Sequence, residues 1–332
     1  MSRRQVLDCL LYEGIPNLEE WLVAGSTGAL GAPLVRALAA GGHEVAGLTR
    51  NPANRDRLQA LGARPLVADV MDRPGLLRAV DGLTVDTVVQ LATAFRDMPM
   101  RHHGMAATNE LRTRGTANML ATARAVGAGR FLAESMIFGY GYGDWGDRVL
   151  TEEDPPFGPP GRNAGLEAHV AAMRESARQT LTAEGIAGIS LRYGGFYGPG
   201  PASEAIVELL RRRRLPVLHG AGVISLVFIE DAVAATLAAL ERGRAGQAYN
   251  VVDDEPVAWR TFLRALAEAV GAPPPRELPA WLLRPANYAH AAFTTSMRVS
   301  NAKARRELAW APSVPIWREG IPLIAAARRN AA

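Results

Sequence analysis

A glycine-rich turn between an apolar run and a helical segment constrains this chain more than any other feature. The apolar run covers residues 21–24, and Gly25, Gly28 and Gly31 follow it at three-residue spacing. Residues 32–40 then show the pattern of a helix. A strand, a glycine turn and a helix in this order begin a βαβ unit, in which a pyrophosphate approaches the turn and the first N–H groups of the helix. The pattern predicts a dinucleotide site, against the simpler interpretation of a tight turn without a ligand.

Composition narrows the class of protein. The 332-residue chain has a formal net charge of +4 and a hydrophobic content of 48%, ordinary values for a globular protein with a large core. The small positive charge gives no reason to expect nucleic acid binding. The single cysteine, Cys9, excludes an internal disulfide and fits a reducing cytoplasm. No apolar run reaches the length of about 18 residues that a membrane span needs. We therefore expect a cytoplasmic protein with a small-molecule substrate and no membrane or nucleic acid partner.

Strands and helices alternate along the chain. The predicted strands after the first lie at residues 43–48, 64–68, 87–91, 130–133 and 189–193. This alternation predicts an α/β fold: a Rossmann-type doubly wound parallel sheet with a smaller C-terminal substrate lobe. Ligands of such sheets bind beyond the carboxyl ends of the strands, so we expect the site there.

The same pattern divides the chain into regions. We assign residues 1–20 to an N-terminal extension that matches no motif and lacks the apolar segment of a signal peptide. Residues 21–200 are predicted to form the dinucleotide-binding domain, with its sheet completed by parts of 223–252. Residues 201–332 are assigned mainly to the substrate lobe. The Gly- and Pro-rich residues 139–165 are predicted to form a long loop.

The end of the second strand bears on the choice of cofactor. An NAD site usually has an acidic residue there, which accepts hydrogen bonds from the adenosine ribose. This chain has Thr49 and Arg50 instead, with Arg55 nearby. An arginine can pair with a 2′-phosphate, so the sequence favours NADP(H) and leaves NAD(H) open. The simpler interpretation makes Arg50 a surface residue that starts the next turn.

At this point the motifs resemble the short-chain dehydrogenase/reductase superfamily, in its extended branch of NAD-dependent epimerase/dehydratase-like proteins. The resemblance runs from Leu22 to about Pro322. It rests on the following segments: Gly25-Ser-Thr-Gly28-Ala-Leu-Gly31, Ala68-Asp69-Val70, Asn109 with Gly115-Thr116-Ala-Asn118, Leu191-Arg192-Tyr193-Gly-Gly-Phe196-Tyr197-Gly198-Pro199-Gly200, Phe228-Ile229-Glu230-Asp231 and Glu307-Leu308-Ala309-Trp310-Ala311-Pro312.

The resemblance implies roles for particular residues. Asp69 and Val70 would contact the adenine, Ala92 and Thr93 would line the nicotinamide ribose, and Ser135 would match the catalytic Ser/Thr. The resemblance also implies a homodimer built on the helices at 109–126 and 166–183. Together with the glycine turn and the second strand, it gives this predicted cofactor-binding set: Gly25, Ser26, Thr27, Gly28, Ala29, Leu30, Gly31, Arg50, Asp69, Val70, Leu91, Ala92, Thr93 and Asn109.

One departure from the family pattern matters for the chemistry. The family uses a Tyr and, four residues later, a Lys on one helix face, and the Tyr exchanges a proton with the substrate oxygen while a hydride moves. Counting back from Glu175, these two positions hold Glu167 and Ala171. No Tyr-x-x-x-Lys occurs anywhere in the chain, whose only lysine is Lys303.

Several hypotheses follow from this loss. The chain is predicted to be an atypical oxidoreductase or epimerase/dehydratase-like enzyme on a sugar or polyketide-type metabolite, with another group moving the proton. The alternatives are a non-redox enzyme (a cyclase, lyase or isomerase) and a catalytically silent dinucleotide sensor. Each candidate residue also has a structural interpretation, as a solvated carboxylate, a strand-end hydroxyl or a cleft wall. The catalytic candidates are Ser135, Glu167, His169, Tyr193 and Tyr197. No metal site is predicted, because His102-His103 has no other ligand type at suitable spacing.

Overall fold

A seven-stranded parallel sheet forms the centre of the molecule. The computed structural model describes residues 18–95, 98–154 and 164–331. The strand order is β12-β7-β5-β4-β1-β2-β3, and every neighbouring pair is parallel. The strands of this sheet are β1 (Glu20–Ala24), β2 (Glu44–Thr49), β3 (Arg64–Val67), β4 (Thr87–Gln90), β5 (Arg130–Met136), β7 (Ala187–Tyr193) and β12 (Gln247–Val251). The predicted doubly wound parallel sheet is confirmed.

Helices cover both faces of this sheet, which is why its central strands are buried on both sides. On one face Val88 and Phe131 pack against Met119 and Leu120. The helices that precede or cover the sheet are α1 (Gly31–Ala40), α2 (Arg55–Ala60), α3 (Arg73–Ala79), α4 (Ala106–Glu110), α5 (Thr116–Ala125), α6 (Ala164–Leu181) and α8 (Ile229–Arg242). A π turn, Leu111–Gly115, joins α4 to α5.

A second group of elements packs around its own apolar core, which includes Phe262, Trp317 and Phe293. Its helices are α7 (Pro201–Arg211), α9 (Trp259–Ala269), α10 (Asn287–Thr294) and α12 (Trp317–Ala331). Its strands form pairs: β8 (Gly195–Tyr197) with β11 (Leu226–Phe228), β9 (Val217–His219) with β14 (Glu277–Pro279), β10 (Val223–Ile224) with β13 (Val257–Ala258), and β6 (Asp144–Leu150) with β15 (Ser296–Val299).

The segment at 139–165 differs from its prediction. It was expected to be a long loop, but it contains the end of a 3-10 turn, Ile137–Tyr140, and strand β6. β6 forms by pairing with β15. Because β15 lies far along the chain, no local pattern in the sequence reveals this pairing. Residues 155–163 of the expected loop lie outside the described residues, as do residues 1–17 of the expected extension.

The last part of the chain returns to the sheet. Helix α11 (Ala302–Leu308) buries Ala304 and Leu308 in the core that α8 shares with the sheet. The Trp310 indole nitrogen then donates to the Asp231 carbonyl oxygen at 3.1 Å. The C-terminal region therefore contributes both to the second group of elements and to the sheet layer.

Candidate functional site

A cavity of about 470 Å³ opens at the carboxyl edge of the sheet, beside the ends of β1, β2, β3 and β4. The residues that line it follow those four strand ends or lie on α4 and the π turn. They are Gly25, Thr27, Leu48, Thr49, Arg50, Asn51, Asn54, Ala68, Asp69, Val70, Met71, Ala92, Thr93, Ala94, Ala107, Glu110 and Leu111. Its position and size are those of a cofactor site in an open α/β sheet.

The glycine turn fits tightly at the mouth of this cavity. Gly25 has φ +80, and a Cβ atom there would lie 2.6 Å from the Leu91 carbonyl carbon. A Cβ on Gly31 would lie 2.1 Å from the Gly25 carbonyl oxygen. Only glycine allows the β1–α1 turn to close this far, and the start of α1 then presents its N–H groups beside the turn. This cradle fits the diphosphate of a dinucleotide.

Polar groups at the end of β2 surround the place where an adenosine ribose would lie. The Thr49 hydroxyl accepts from the Asn51 backbone N–H at 3.2 Å and from the Asn54 side-chain amide at 3.1 Å. These bonds shape the turn after the strand. Arg50 is exposed, lines the cavity, and has no ion-pair partner within the described ranges. Two residues after the end of β3, the Asp69 carboxylate accepts from the Met71 N–H at 2.9 Å, which holds it at the cavity edge.

The predicted cofactor-binding set is only partly at the cavity. Gly25, Thr27, Arg50, Asp69, Val70, Ala92 and Thr93 line it, whereas Ser26, Gly28, Ala29, Leu30, Gly31, Leu91 and Asn109 do not. The cofactor contacts of the whole set stay predictions, and the side chains of three of its members, Ser26, Leu30 and Asn109, make other contacts in the structure. The Ser26 hydroxyl is buried and donates to the Leu48 carbonyl oxygen at 3.0 Å, and Leu30 packs into the core. Asn109 lies on the side of α4 away from the cavity-lining Ala107 and bonds to His169 instead.

At the end of β5, Ser135 is 3% exposed, and its hydroxyl has no hydrogen-bond partner in the part of the chain that the structure describes. The preceding residue, Glu134, forms an ion pair at 3.3 Å with Arg112, which is 4% exposed. Arg112 reaches β5 because it lies in the π turn, a local widening of the helix that often marks functional sites. The Nε atom of Arg112 also lacks a partner among the described residues. These two buried atoms lie beside the carboxyl end of β5, the edge of the sheet at which ligands of this fold bind.

A cluster of two histidines, an asparagine and two tyrosines, the histidine cluster, lies between α4, α6 and α10. The Asn109 side-chain nitrogen is 2.9 Å from His169 Nδ1, and His169 Nε2 is 3.0 Å from His102 Nδ1. The Tyr142 hydroxyl is 3.4 Å from the Tyr288 hydroxyl, and the His169 ring meets the Tyr288 ring edge to face. Burial, followed by the nearby charges of His102 and Arg112, lowers the pKa of His169 to about 4. At neutral pH His169 is therefore uncharged.

The two residues at the positions predicted for the family's Tyr and Lys both lie on α6. Glu167 and Ala171 lie one turn apart on α6, and the Glu167 carboxylate is 3.4 Å from the Arg174 guanidinium. His169 points away from them to the histidine cluster and is 2% exposed.

The two tyrosines predicted as catalytic candidates, Tyr193 and Tyr197, do not line the cavity, and their role as proton donors stays a prediction that their burial does not support. Tyr193 is fully buried, and its hydroxyl bonds to Thr236 at 2.7 Å. Tyr197 is 1% exposed, and its hydroxyl donates to Asp253 at 3.4 Å. Burial is the largest cause of the raised pKa of each tyrosine. Both side chains point into apolar cores, a direction that position at a strand end does not reveal.

Sequence reasoning missed Arg112 and Tyr288 and treated His102 only as a rejected metal ligand. The only signal in the sequence for Arg112 is that this charged residue stands three positions before Gly115. Nothing local pointed to Tyr288, because α10 joins the cluster only through the fold. Among the described residues no group of His, Cys, Asp or Glu is arranged to hold a metal ion. Within the same residues no helix is long and apolar enough to cross a membrane.

Comparison with known proteins relates this chain to one enzyme family and to reductases. A profile of the NAD dependent epimerase/dehydratase family matches residues 21–252. A 3-diazoavenalumate denitrifying reductase of a Streptomyces species is 38% identical over 317 residues, which are 90% of this chain and 98% of that protein. A 2-alkyl-3-oxoalkanoate reductase of Stenotrophomonas maltophilia is 29% identical over 266 residues, covering 76% of each chain.

Solved structures of similar fold include sugar-nucleotide enzymes. A dTDP-glucose 4,6-dehydratase of Streptomyces venezuelae, with NAD bound, has a TM-score of 0.75 and 26% identity over 93% of this chain and 96% of that chain. A UDP-glucose 4-epimerase of Thermotoga maritima, with UDP-glucose, has a TM-score of 0.76, covers 94% and 99% of the two chains, and is 20% identical. The latter shows the fold alone.

Proposed function

This chain belongs to the NAD-dependent epimerase/dehydratase family, and from that premise we propose that it is a reductase that removes the diazo group of a small metabolite as N₂. The observation that carries the proposal is that the sequence contains no Tyr-x-x-x-Lys. The positions predicted for this pair lie on α6 and hold Glu167 and Ala171. The cofactor cavity is otherwise present, with its glycine cradle. A cavity for a nicotinamide dinucleotide, without the usual proton donor beside it, suits a hydride transfer after which the product needs no proton from that donor.

The chemistry of the two reductions differs at this point. Reduction of a ketone leaves an alkoxide, which the Tyr must protonate as it forms. When bound, the reduced nicotinamide supplies a hydride to the diazo-bearing carbon, and the nitrogen leaves as neutral N₂. The diazo reductase relative, with 38% identity over most of both chains, supports this choice over a ketone substrate.

The residues of this chain then have the following proposed roles. The turn Gly25–Gly31 holds the diphosphate, Asp69 and Val70 contact the adenine, and Ala92 and Thr93 line the nicotinamide side. Ser135, with its unpartnered buried hydroxyl, binds the substrate. The proton transfer that the sequence-based hypothesis assigned to Glu167 is not needed.

We propose NADPH as the cofactor. Arg50 lines the cavity at the end of β2, and no carboxylate stands at that strand end to accept bonds from an unphosphorylated ribose. The family name and the NAD in the solved dehydratase support a nicotinamide dinucleotide in general. A homodimer on the helices at 109–126 and 166–183, and a cytoplasmic location, stay predictions. Light scattering of the purified protein tests the dimer.

The test of the function compares two classes of substrate. Purified protein is given NADPH with an arenediazonium or quinone diazide compound, and separately with a 3-oxoalkanoate. We expect N₂ release and NADPH oxidation with the diazo compounds, above the rate without enzyme, and no oxidation with the ketone. The variant Glu167→Gln should keep at least half of the diazo activity. Ketone reduction without N₂ release, or loss of activity in Glu167→Gln, would contradict the proposal.

A further inference from the structure

The histidine cluster contains one hydrogen-bonded chain whose last atom has no partner. The chain runs from the Asn109 side-chain nitrogen to His169 at 2.9 Å and from His169 to His102 at 3.0 Å. The far nitrogen, His102 Nε2, is buried and makes no hydrogen bond to any residue that the structure describes. A buried polar atom without a partner is costly, so a hydrogen bond from this atom to a ligand would be favourable.

The chain fixes which histidine nitrogens carry protons. An amide nitrogen only donates, so His169 Nδ1 accepts from Asn109. Burial keeps both imidazoles neutral, because it lowers the pKa of His169 to about 4 and lowers the pKa of His102. A neutral His169 that accepts at Nδ1 has its proton on Nε2 and donates to His102 Nδ1. With the Asn109 amide in this orientation, His102 carries its own proton on Nε2 and can donate from that atom.

This donor lies at the start of the helix that carries the replaced Tyr and Lys positions. Gly165, the second residue of α6, faces the same edge of the His102 ring: a Cβ atom there would be 2.5 Å from Cδ2 and 3.0 Å from Nε2. Glu167, at the Tyr position, follows two residues later. The Tyr288 ring meets the His102 ring edge to face at 6.3 Å. An N–H donor beside an aromatic wall suits an oxygen on a flat conjugated ligand.

Diazo compounds fall into two classes that differ in their need for such a donor. An arenediazonium cation accepts a hydride, loses N₂ and becomes a neutral arene. A neutral diazo compound with an oxygen conjugated to the diazo carbon behaves differently. The hydride forms a C–H bond, the C–N bond breaks with its electron pair leaving in N₂, and the negative charge stays on the oxygen. That oxygen then takes its proton from water.

We propose that the substrate is a neutral diazo compound with a conjugated oxygen, and that His102 Nε2–H donates a hydrogen bond to this oxygen as charge develops on it. Asn109 and His169 are positioning residues that hold the His102 proton on Nε2. Preorganised donors of this kind stabilise a developing oxyanion strongly in a buried site. The inference rests on the proposed function and names its substrate class.

The experiment crosses two substrates with matched variants. The substrates are ortho-benzoquinone diazide, which has the conjugated oxygen, and benzenediazonium, which lacks it, with rates corrected for the reaction without enzyme. His102→Phe removes the donor and His102→Gln restores a side-chain N–H. His103→Phe is the control, since His103 is the exposed next residue. Asn109→Asp makes the side chain of residue 109 an acceptor, which reverses the direction of the hydrogen bonds from residue 109 through His169 to His102.

We expect kcat/KM for the quinone diazide to fall about 100-fold in His102→Phe, as when an oxyanion donor is removed, with partial recovery in His102→Gln. In Asn109→Asp, kcat/KM for the quinone diazide should fall by a similar factor. For benzenediazonium, kcat/KM should change less than threefold in all variants, and both values in His103→Phe should match the wild type.

Each outcome separates the two proposals. Equal losses on both substrates would assign a structural role to His102, and no loss on either would remove it from the site, while the diazo reductase function stands. If the wild-type protein releases N₂ from neither substrate, the proposed function fails, and this inference falls with it.

Discussion

Charge reversal at Arg50 tests the proposed cofactor preference. Arg50 is exposed, lines the cofactor cavity after β2, and has no ion-pair partner within the part of the chain that the structure describes. The free guanidinium is therefore available to a 2′-phosphate. Arg50→Glu removes this partner and places a negative charge beside the phosphate.

The expected size of the effect follows from the contact. A hydrogen bond to a charged group contributes about 1.5–3 kcal/mol, which is about a 10- to 150-fold change in affinity. Because Arg50 is exposed, salt screens the interaction, and the lower half of this range applies at physiological ionic strength. NADH lacks the 2′-phosphate, so its affinity should change less than threefold.

The assay is a calorimetric titration of each variant with NADPH and with NADH. Arg55→Glu is a matched control, because it makes the same change of charge at the start of α2, outside the cavity lining. The reasoning fails if Arg50→Glu leaves the NADPH dissociation constant unchanged. It fails equally if Arg55→Glu weakens NADPH binding as much.

Three further predictions concern the turn, the core and the histidine cluster. Gly31→Ala places a Cβ 2.1 Å from the Gly25 carbonyl oxygen; it should cost about 1–3 kcal/mol of stability and abolish dinucleotide binding, and a normal melting temperature with intact binding would refute this. Tyr193→Phe removes the 2.7 Å bond to Thr236 and should lower the free energy of unfolding by about 1 kcal/mol without changing kcat, whereas a large loss of kcat would return Tyr193 to the site. The pKa of His169, about 4 when folded and 6.5 by its ordinary value, means that only the unfolded chain binds the proton between these limits. Stability should therefore fall by about 2–3 kcal/mol as pH drops from 7 to 4.5, and urea titrations should show a smaller fall in His169→Asn; an equal fall would contradict the assignment.

The sheet and the glycine cradle could be predicted because their signals are local. The spacing of Gly25, Gly28 and Gly31 after an apolar run reports a backbone requirement that few folds share. Arg50 and Asp69 were predicted at the site because parallel strands end at one edge. These positions depend only on the strands being parallel, which the alternation of strands and helices predicts.

Side-chain direction could not be predicted in the same way. Tyr193 and Ser135 both lie at strand ends, yet the Tyr193 hydroxyl meets Thr236 in the core while Ser135 is left without a partner. The histidine cluster depends on contacts between residues far apart in the chain, such as His102 with His169. Arg112 forms its ion pair with Glu134 from within a π turn, which no pattern in the sequence indicates.

The most direct test of the diazo reductase proposal follows both products of one turnover. The protein is given a quinone diazide and NADPH deuterated at the reactive nicotinamide position, and N₂, oxidised cofactor and the organic product are measured together. The account predicts one N₂ for each NADPH oxidised and deuterium on the carbon that carried the diazo group. NADPH oxidation with both nitrogens kept in the organic product, or N₂ release without NADPH oxidation, would contradict it.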